Sequence, residues 1–167
     1  GRIERERTLA VKIPGGVDNG DRIRLAGEGE AGTAGTPAGD LYVVVRVEEH
    51  PFFKREGAHL LCDIPISITQ ASLGATVEIP TLEEGHTKLH IPEGTQSGSS
   101  FRIRGQGIPH LGSKGRGDLH VTAHVVVPSK LSAEQRKLLE QLAKTLPAPE
   151  VREKDRSFFA KMKDMLS

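Results

Sequence analysis

The stretch IPGGVDNGDRIRLAGEG, residues 13–29, returns as IPEGTQSGSSFRIRGQG, residues 91–107. Ile13, Pro14, Gly16 and Gly20 fall on Ile91, Pro92, Gly94 and Gly98, at a constant offset of 78 residues. Arg24, Gly27 and Gly29 fall on Arg102, Gly105 and Gly107. The register holds without a gap into GDLYVVVRV and GDLHVTAHV, where Gly39, Asp40, Leu41, Val43 and Val47 meet Gly117, Asp118, Leu119, Val121 and Val125. Glycines alone can align by composition, but Ile-Pro and Gly-Asp-Leu recurring in the same register cannot. The reading is two structural units of one design.

Each copy reads as strand, tight turn, strand, Gly-rich loop, strand. In the first copy Leu9, Val11 and Ile13 alternate with polar or small residues, which predicts a strand. Pro14-Gly15-Gly16 breaks it, and Asp18-Asn19-Gly20 offers a turn with positive φ. Ile23 and Leu25 alternate with Arg22 and Arg24, residues 26–40 read as loop, and 41–47, LYVVVRV, as a buried strand. The offset makes residues 50–85 the front of the second copy. The equivalent front of the first, roughly 35 to 40 residues, is expected to lie before Gly1. The opening GRIERERTLAV, without an initiator Met, fits that expectation of a fragment.

Within the second copy Leu60, Cys62, Ile64, Ile66 and Ile68 alternate as an amphipathic strand, bent at Pro65. SITQASLG, 67–74, reads as a helical turn ending at Gly74. Val77 and Ile79 precede a hairpin turned at Glu84-Gly85. Half-buried antiparallel strands predict a mainly β fold: two tandem small sandwiches or barrels, the first truncated. The expected domains are 1–49 and 50–128, with a helix over 129–146 and a linker and tail over 147–167.

That helix is predicted by Ser132 and Gln135 as a capping box and by Ala, Glu, Gln, Lys and Leu after it. Leu138, Leu139, Leu142 and Leu146 form one apolar stripe, and Pro147 ends it. The stripe packs either on its own domain or, the reading preferred here, on a second subunit. In the tail, Phe158, Phe159, Met162, Met165 and Leu166 fit one helical face.

The 167 residues carry a formal charge of +1 and 36% apolar residues, with 19 Gly and 10 Pro. Near-neutral charge and a single Tyr argue against nucleic acid as a partner. No apolar run of about 18 residues is present to span a membrane. The lone Cys62 excludes an internal disulfide and a thiolate zinc cage within the chain. It is read as a small buried hydrophobe in a reducing, cytoplasmic setting. Gly27, Gly29 and Gly32 match a dinucleotide pattern, but Thr33–Gly39 cannot start the helix that chemistry needs. His120 and His124 share a strand face, and His86 and His90 flank a hairpin, without metal-site spacing. Acidic pairs at Glu48-Glu49 and Glu83-Glu84 read as solvated turns, and no nucleophile elbow occurs. No catalytic or metal-ligating residue is expected. What remains is apolar surface: Leu9, Val11 and Ile13 on one strand face, Val43, Val45 and Val47 on another. Such rows are either core or the lining of a groove that takes an extended peptide.

The motifs KIPGGVDNGDRIRLAGEGEAG, HPFFKREG, DIPISITQASLGATVEIPTLEEG and GRGDLHVTAHVVVPSKLSAEQRKLL closely resemble the C-terminal substrate-binding region of the bacterial DnaJ co-chaperones, across about residues 1–146. The tail RSFFAKMKDML is similar to the end of bacterial members. The resemblance implies two β-rich domains, a C-terminal helix that joins two chains as a homodimer, and no enzymatic activity. It implies unfolded or non-native polypeptides as partners, and DnaK reached mainly through a J domain absent here. Zinc is implied only upstream, in a cysteine-rich module of the complete protein, with no cofactor in this segment. It places Leu9 and Val43 among groove-lining positions, beside Val11 and Val45 of the same strands. Val43 stands where some relatives carry a bulky aromatic, implying a shallower pocket. A scaffold that dimerises without binding clients is the competing reading.

Overall fold

The computed structural model describes residues 3–83 and 85–166; Glu84, at the expected hairpin turn and in one acidic pair, lies outside them. The chain divides into two compact units, Gly1–Val127 and Pro128–Ser167.

The first unit is mainly β. Strands β1 (Arg22–Leu25) and β2 (Leu41–Val44) form a two-stranded antiparallel sheet. A four-stranded sheet follows the order β3 (Lys54–Glu56), β4 (His59–Ser67), β8 (Leu119–Val126), β7 (Ser100–Ile103). A hairpin of β5 (Ala75–Pro80) and β6 (His86–Ile91) makes the third sheet. Helix α1 (Ile68–Leu73) starts on a Ser67 capping box with Gln70 and stops at Gly74, φ 83°. Ile68 therefore begins the helix instead of ending the strand row, because the cap redirects the backbone at Ser67.

The core is a sandwich of the four-stranded sheet, the β5–β6 hairpin and α1. Leu60, Cys62, Ile64 and Ile66 of β4 meet Leu119, Val121 and Ala123 of β8, with Ile79, Leu89, Ile91, Ala71 and Phe53 closing over them. Alternation puts these β4 and β8 residues on one side and His59, Asp63, Pro65, His120 and His124 on the other. Pro65 is tolerated because β3 begins at Lys54, opposite Leu61, leaving that side of β4 open beyond Leu61. One expectation is corrected: β4 and β8 run parallel, Leu60 beside Leu119 through Ser67 beside Val126. Their connection carries α1, β5, β6 and β7, a crossover long enough to reverse direction twice.

The duplicated sequence is a duplicated structure. The β1–β2 register, Arg22 opposite Val44, recurs 78 residues later as Ser100 opposite Thr122. The N–H of Gly20 donates to the carbonyl of Val45 at 3.0 Å, and that of Gly98 to Ala123 at 2.8 Å. Gly29 donates to Gly39 and Gly107 to Gly117, both at 2.8 Å. Glycine is required at these closures: a Cβ on Gly29 would lie 2.6 Å from the Asp40 carbonyl oxygen, and one on Gly107 2.5 Å from that of Ala58. In both loops an aspartate locks the turn. Asp40 accepts from the Gly27 N–H and Asp118 from the Gly105 N–H, each at 3.0 Å.

Two first-copy expectations fail. Residues 9–13 join no ladder among the described residues, although their equivalents in β6 pair with β5. Alternation alone does not make a strand; its backbone groups need a partner edge. The stretch 41–47 is a strand only over Leu41–Val44, and it is not buried: Tyr42 and Val44 are 54% and 57% exposed.

In the second unit α2 (Ala133–Thr145) is capped as expected, Ser132 Oγ accepting from the Gln135 N–H at 3.1 Å and Gln135 Oε1 from the Ser132 N–H at 2.8 Å. It ends before Pro147 with Leu146 as C-cap, one residue short of including the stripe's last leucine. Helix α3 (Glu153–Leu166) starts inside the stretch read as linker. No residue of α2 or α3 is buried.

Candidate functional site

Residues directly opposite in an antiparallel pair share a face. The β1–β2 register therefore gathers Ile23, Leu25, Leu41 and Val43 on one side, with Val45 next in the row. Their equivalents in the second copy are Phe101, Ile103, Leu119, Val121 and Ala123, which belong to or pack against the core. Leu119 and Val121 are 0% exposed, whereas Leu41 is 37% exposed and Val43 only half-buried. The same face is fully covered in one copy and only partly covered in the other. The second edge of β2 also lacks a partner among the described residues, where β8 has β4.

The sequence-derived residues distribute as follows. Val43 and Val45 stand on this face, both half-buried. Leu9 and Val11 are half-buried in the extended segment before the first turn. That segment is tied down by an ion pair between Arg7 and Glu28 and has no ladder to β2. An open depression of about 540 Å³ beside the end of β2 is lined by Asn19, Gly20 and Val44 through Glu48. It takes in Val45 but not Leu9, Val11 or Val43. On α2, Leu138, Leu142 and Leu146 are exposed and Leu139 is half-buried.

Two features escaped the sequence reading. Ile23, Leu25 and Leu41 belong to the partly covered face, and the 78-residue offset already pointed to Leu41 through Leu119. Arg55 holds the first copy against the second: its guanidinium donates to the carbonyls of Val17 at 2.6 Å and Gly16 at 3.0 Å, with Asp18 3.7 Å away. No local pattern marks an arginine that acts across nearly forty residues.

Electrostatics here are structural. The Gly27 N–H, then the Arg24 guanidinium, hold the Asp40 carboxyl below its ordinary range. The Gly105 N–H does the same for Asp118, with help from Arg102. Burial, then Asp63, pushes the Cys62 thiol up to about 11, so it stays protonated at neutral pH. No group of three or more His, Cys, Asp or Glu residues could hold a metal ion among the described residues. Among them, too, no helix is long and apolar enough to cross a membrane. The arrangement offers apolar area and free backbone groups, and no reacting constellation.

Comparison with known proteins matches residues 2–128 to the family described as DnaJ C terminal domain, and residues 134–167 to the one described as Chaperone protein DnaJ C-terminal region. The chain is 50% identical over 166 residues to a Chaperone protein DnaJ of Acetivibrio thermocellus, covering 99% of this chain and 42% of that protein. It is 49% identical over 163 residues to a Chaperone protein DnaJ of Bacillus cytotoxicus, covering 98% and 43%. The chain thus spans less than half the length of these relatives.

Proposed function

The chain belongs to the DnaJ C-terminal family, a family of co-chaperones and not of enzymes, and on that premise we propose that it binds exposed apolar segments of non-native polypeptides and dimerises through α2. In the complete protein, in this reading, the bound client passes to DnaK in the cytoplasm. The observation that carries the reading is the apolar face of β1 and β2, only partly covered where its equivalent in β7 and β8 is core or packed against it. An extended client segment laid against it gains about 25 cal/mol per Å² of apolar area buried. Ordering the client opposes that gain, so single-site binding is of roughly micromolar strength. Two arms on one client raise it through effective concentration. Leu9, Val11, Val43 and Val45 are the proposed lining, joined by Leu41.

The zinc of the family resemblance does not fit the residues present: the single cysteine is buried in the core and, among the described residues, no ligand cluster accompanies it. In this reading zinc belongs to the upstream cysteine-rich module, and this chain's part is polypeptide binding and dimerisation.

The test is light scattering of a chemically denatured client with and without the chain. The unmodified chain suppresses aggregation, and Leu9→Asp with Val43→Asp loses that suppression while sedimentation still gives a dimer. Unchanged suppression removes the groove assignment. A dimer that suppresses nothing in any form favours the scaffold reading, which the exposed leucines of α2 support. Leu139→Asp with Leu142→Asp yields monomers; a mass that stays dimeric moves the interface off α2.

A further inference from the structure

Helix α3 carries a complete apolar face that nothing in its own unit buries. At 3.6 residues per turn, Phe158, Phe159, Met162, Met165 and Leu166 lie on one side of it. All five are exposed, from 43% at Met162 to 84% at Met165 and Leu166. Phe158 and Phe159 stand edge-on at 5.9 Å between ring centroids. The borders of this face set it apart. Lys154 and Lys161 run along one border, Arg156 and Lys163 along the other. Glu153, Ser157, Ala160 and Asp164 occupy the opposite side. One acid, Asp155, falls within the apolar sector, but in the first turn, where Arg152 Nε donates to its Oδ2 at 2.6 Å.

Helix α2 supplies the comparison. A shift of 20 residues lays Leu138, Leu139, Leu142 and Leu146 on Phe158, Phe159, Met162 and Leu166. The same shift puts Glu134, Arg136, Gln141 and Ala143 where α3 has Lys154, Arg156, Lys161 and Lys163. Mixed borders suit a helix that meets a second copy of itself, because the border charges of two such helices face each other. Four border cations make that meeting repulsive for α3. They suit instead a surface of fixed negative charge with an apolar layer beneath it. Lysine and arginine stems lie along the apolar layer while their charged ends reach the phosphates, and Glu153 and Asp164 stay on the far side, in water. A helix of 14 residues is too short to span a bilayer. With an apolar face between basic borders it lies in the plane of the interface, sunk about 5–10 Å. We propose that α3 docks on an anionic phospholipid membrane surface, with the Phe158, Phe159, Met162, Met165 and Leu166 side among the acyl chains and Lys154, Arg156, Lys161 and Lys163 at the headgroup phosphates.

The proposal is independent of client capture by β1 and β2. Flotation of the 167-residue chain with vesicles of equal parts phosphatidylcholine and phosphatidylglycerol tests it, beside vesicles of phosphatidylcholine alone. Each cation near an anionic surface strengthens binding about fivefold, and the acids of α3 offset part of that, so the anionic vesicles are expected to bind roughly tenfold more tightly. The preference falls between about 50 and 300 mM salt. Lys154→Gln, Arg156→Gln, Lys161→Gln and Lys163→Gln together remove it. Phe158→Asp with Phe159→Asp removes binding to both kinds of vesicle. The chain has no Trp, so Phe159→Trp reports insertion as emission that shifts to the blue on anionic vesicles. Equal binding of the two kinds of vesicle overturns the proposal, as does a preference that survives the four-glutamine variant. A double aspartate variant that sediments as a monomer where the unmodified chain is a dimer also overturns it, assigning the face to a second copy. Should the aspartates melt α3 by circular dichroism, the glutamine variant and Phe159→Trp decide.

Discussion

Leu119 and Val121 are wholly enclosed, and Leu41 and Val43, in the same ladder register 78 residues earlier, are only partly covered on the same side of their strand. The backbone is common to both copies: turn positions, positive-φ glycines, aspartate locks and cross-strand bonds repeat. The environments differ because β8 lies between β4 and β7 beneath the β5–β6 hairpin, whereas β2 has β1 alone. One motif is therefore a load in one place and a surface in the other. Local sequence writes the motif; what packs over it decides whether its apolar row stabilises the fold or is left for a ligand.

The sharpest way to break the comparison is to cut the same side chain from each copy. Leu119→Ala is expected to cost about 2–5 kcal/mol in urea unfolding, as for a fully buried leucine. Leu41→Ala, at 37% exposure, is expected to cost about 1 kcal/mol or less. Equal losses would mean that the first copy has a cover of its own. The repeated glycines give a smaller contrast. Gly94→Ala meets no atom within 4 Å and carries only the strain of φ +74°, about 1–2 kcal/mol. Gly16→Ala carries the same kind of strain at φ +94°, and its Cβ would fall 2.3 Å from the Pro109 carbonyl oxygen and 2.9 Å from the Leu111 amide nitrogen. It should cost more than Gly94→Ala and speed amide exchange across residues 16–20, where Arg55 also holds the first copy. The smallest effect is acid sensitivity. Asp40 and Asp118 both have carboxyls held below the ordinary value of 3.8. Each contributes its stability in full above about pH 4 and loses it as pH falls through the lowered value. Asp118→Asn should flatten the acid limb of the thermal midpoint, and Asp40→Asn should change only local exchange near Gly27.

Much of this organisation was legible in the sequence. Gly-Asp-Leu and Ile-Pro recurring in register announced the repeat. Alternation from Leu60 to Ile66 announced a core strand, and Ser132 with Gln135 announced the helix start. These signals succeed because turns, caps and one-sided strands are decided by residues within a few positions of one another. Three features were not legible, for one reason. The parallel direction of β4 and β8, the missing ladder at residues 9–13 and the exposure of 41–47 all depend on which distant strand arrives as a neighbour. LYVVVRV has the composition of a buried strand whether or not anything covers it. The groove residues share that limit: Val43 and Val45 could be placed on one face from alternation. What Leu9 and Val11 face depends on a partner edge that alternation does not specify.

The parallel β4–β8 pair has a consequence for how the molecule comes into being. When Leu60 leaves the ribosome, its partner Leu119 is still about 60 residues from emerging, roughly three to twelve seconds at about 5–20 residues per second. Through that interval the row Leu60, Cys62, Ile64 and Ile66 is an apolar ribbon without a neighbour. Each newborn copy thus passes through the condition that its finished siblings are proposed to recognise, and its yield in a cell should depend on how many of them are already there.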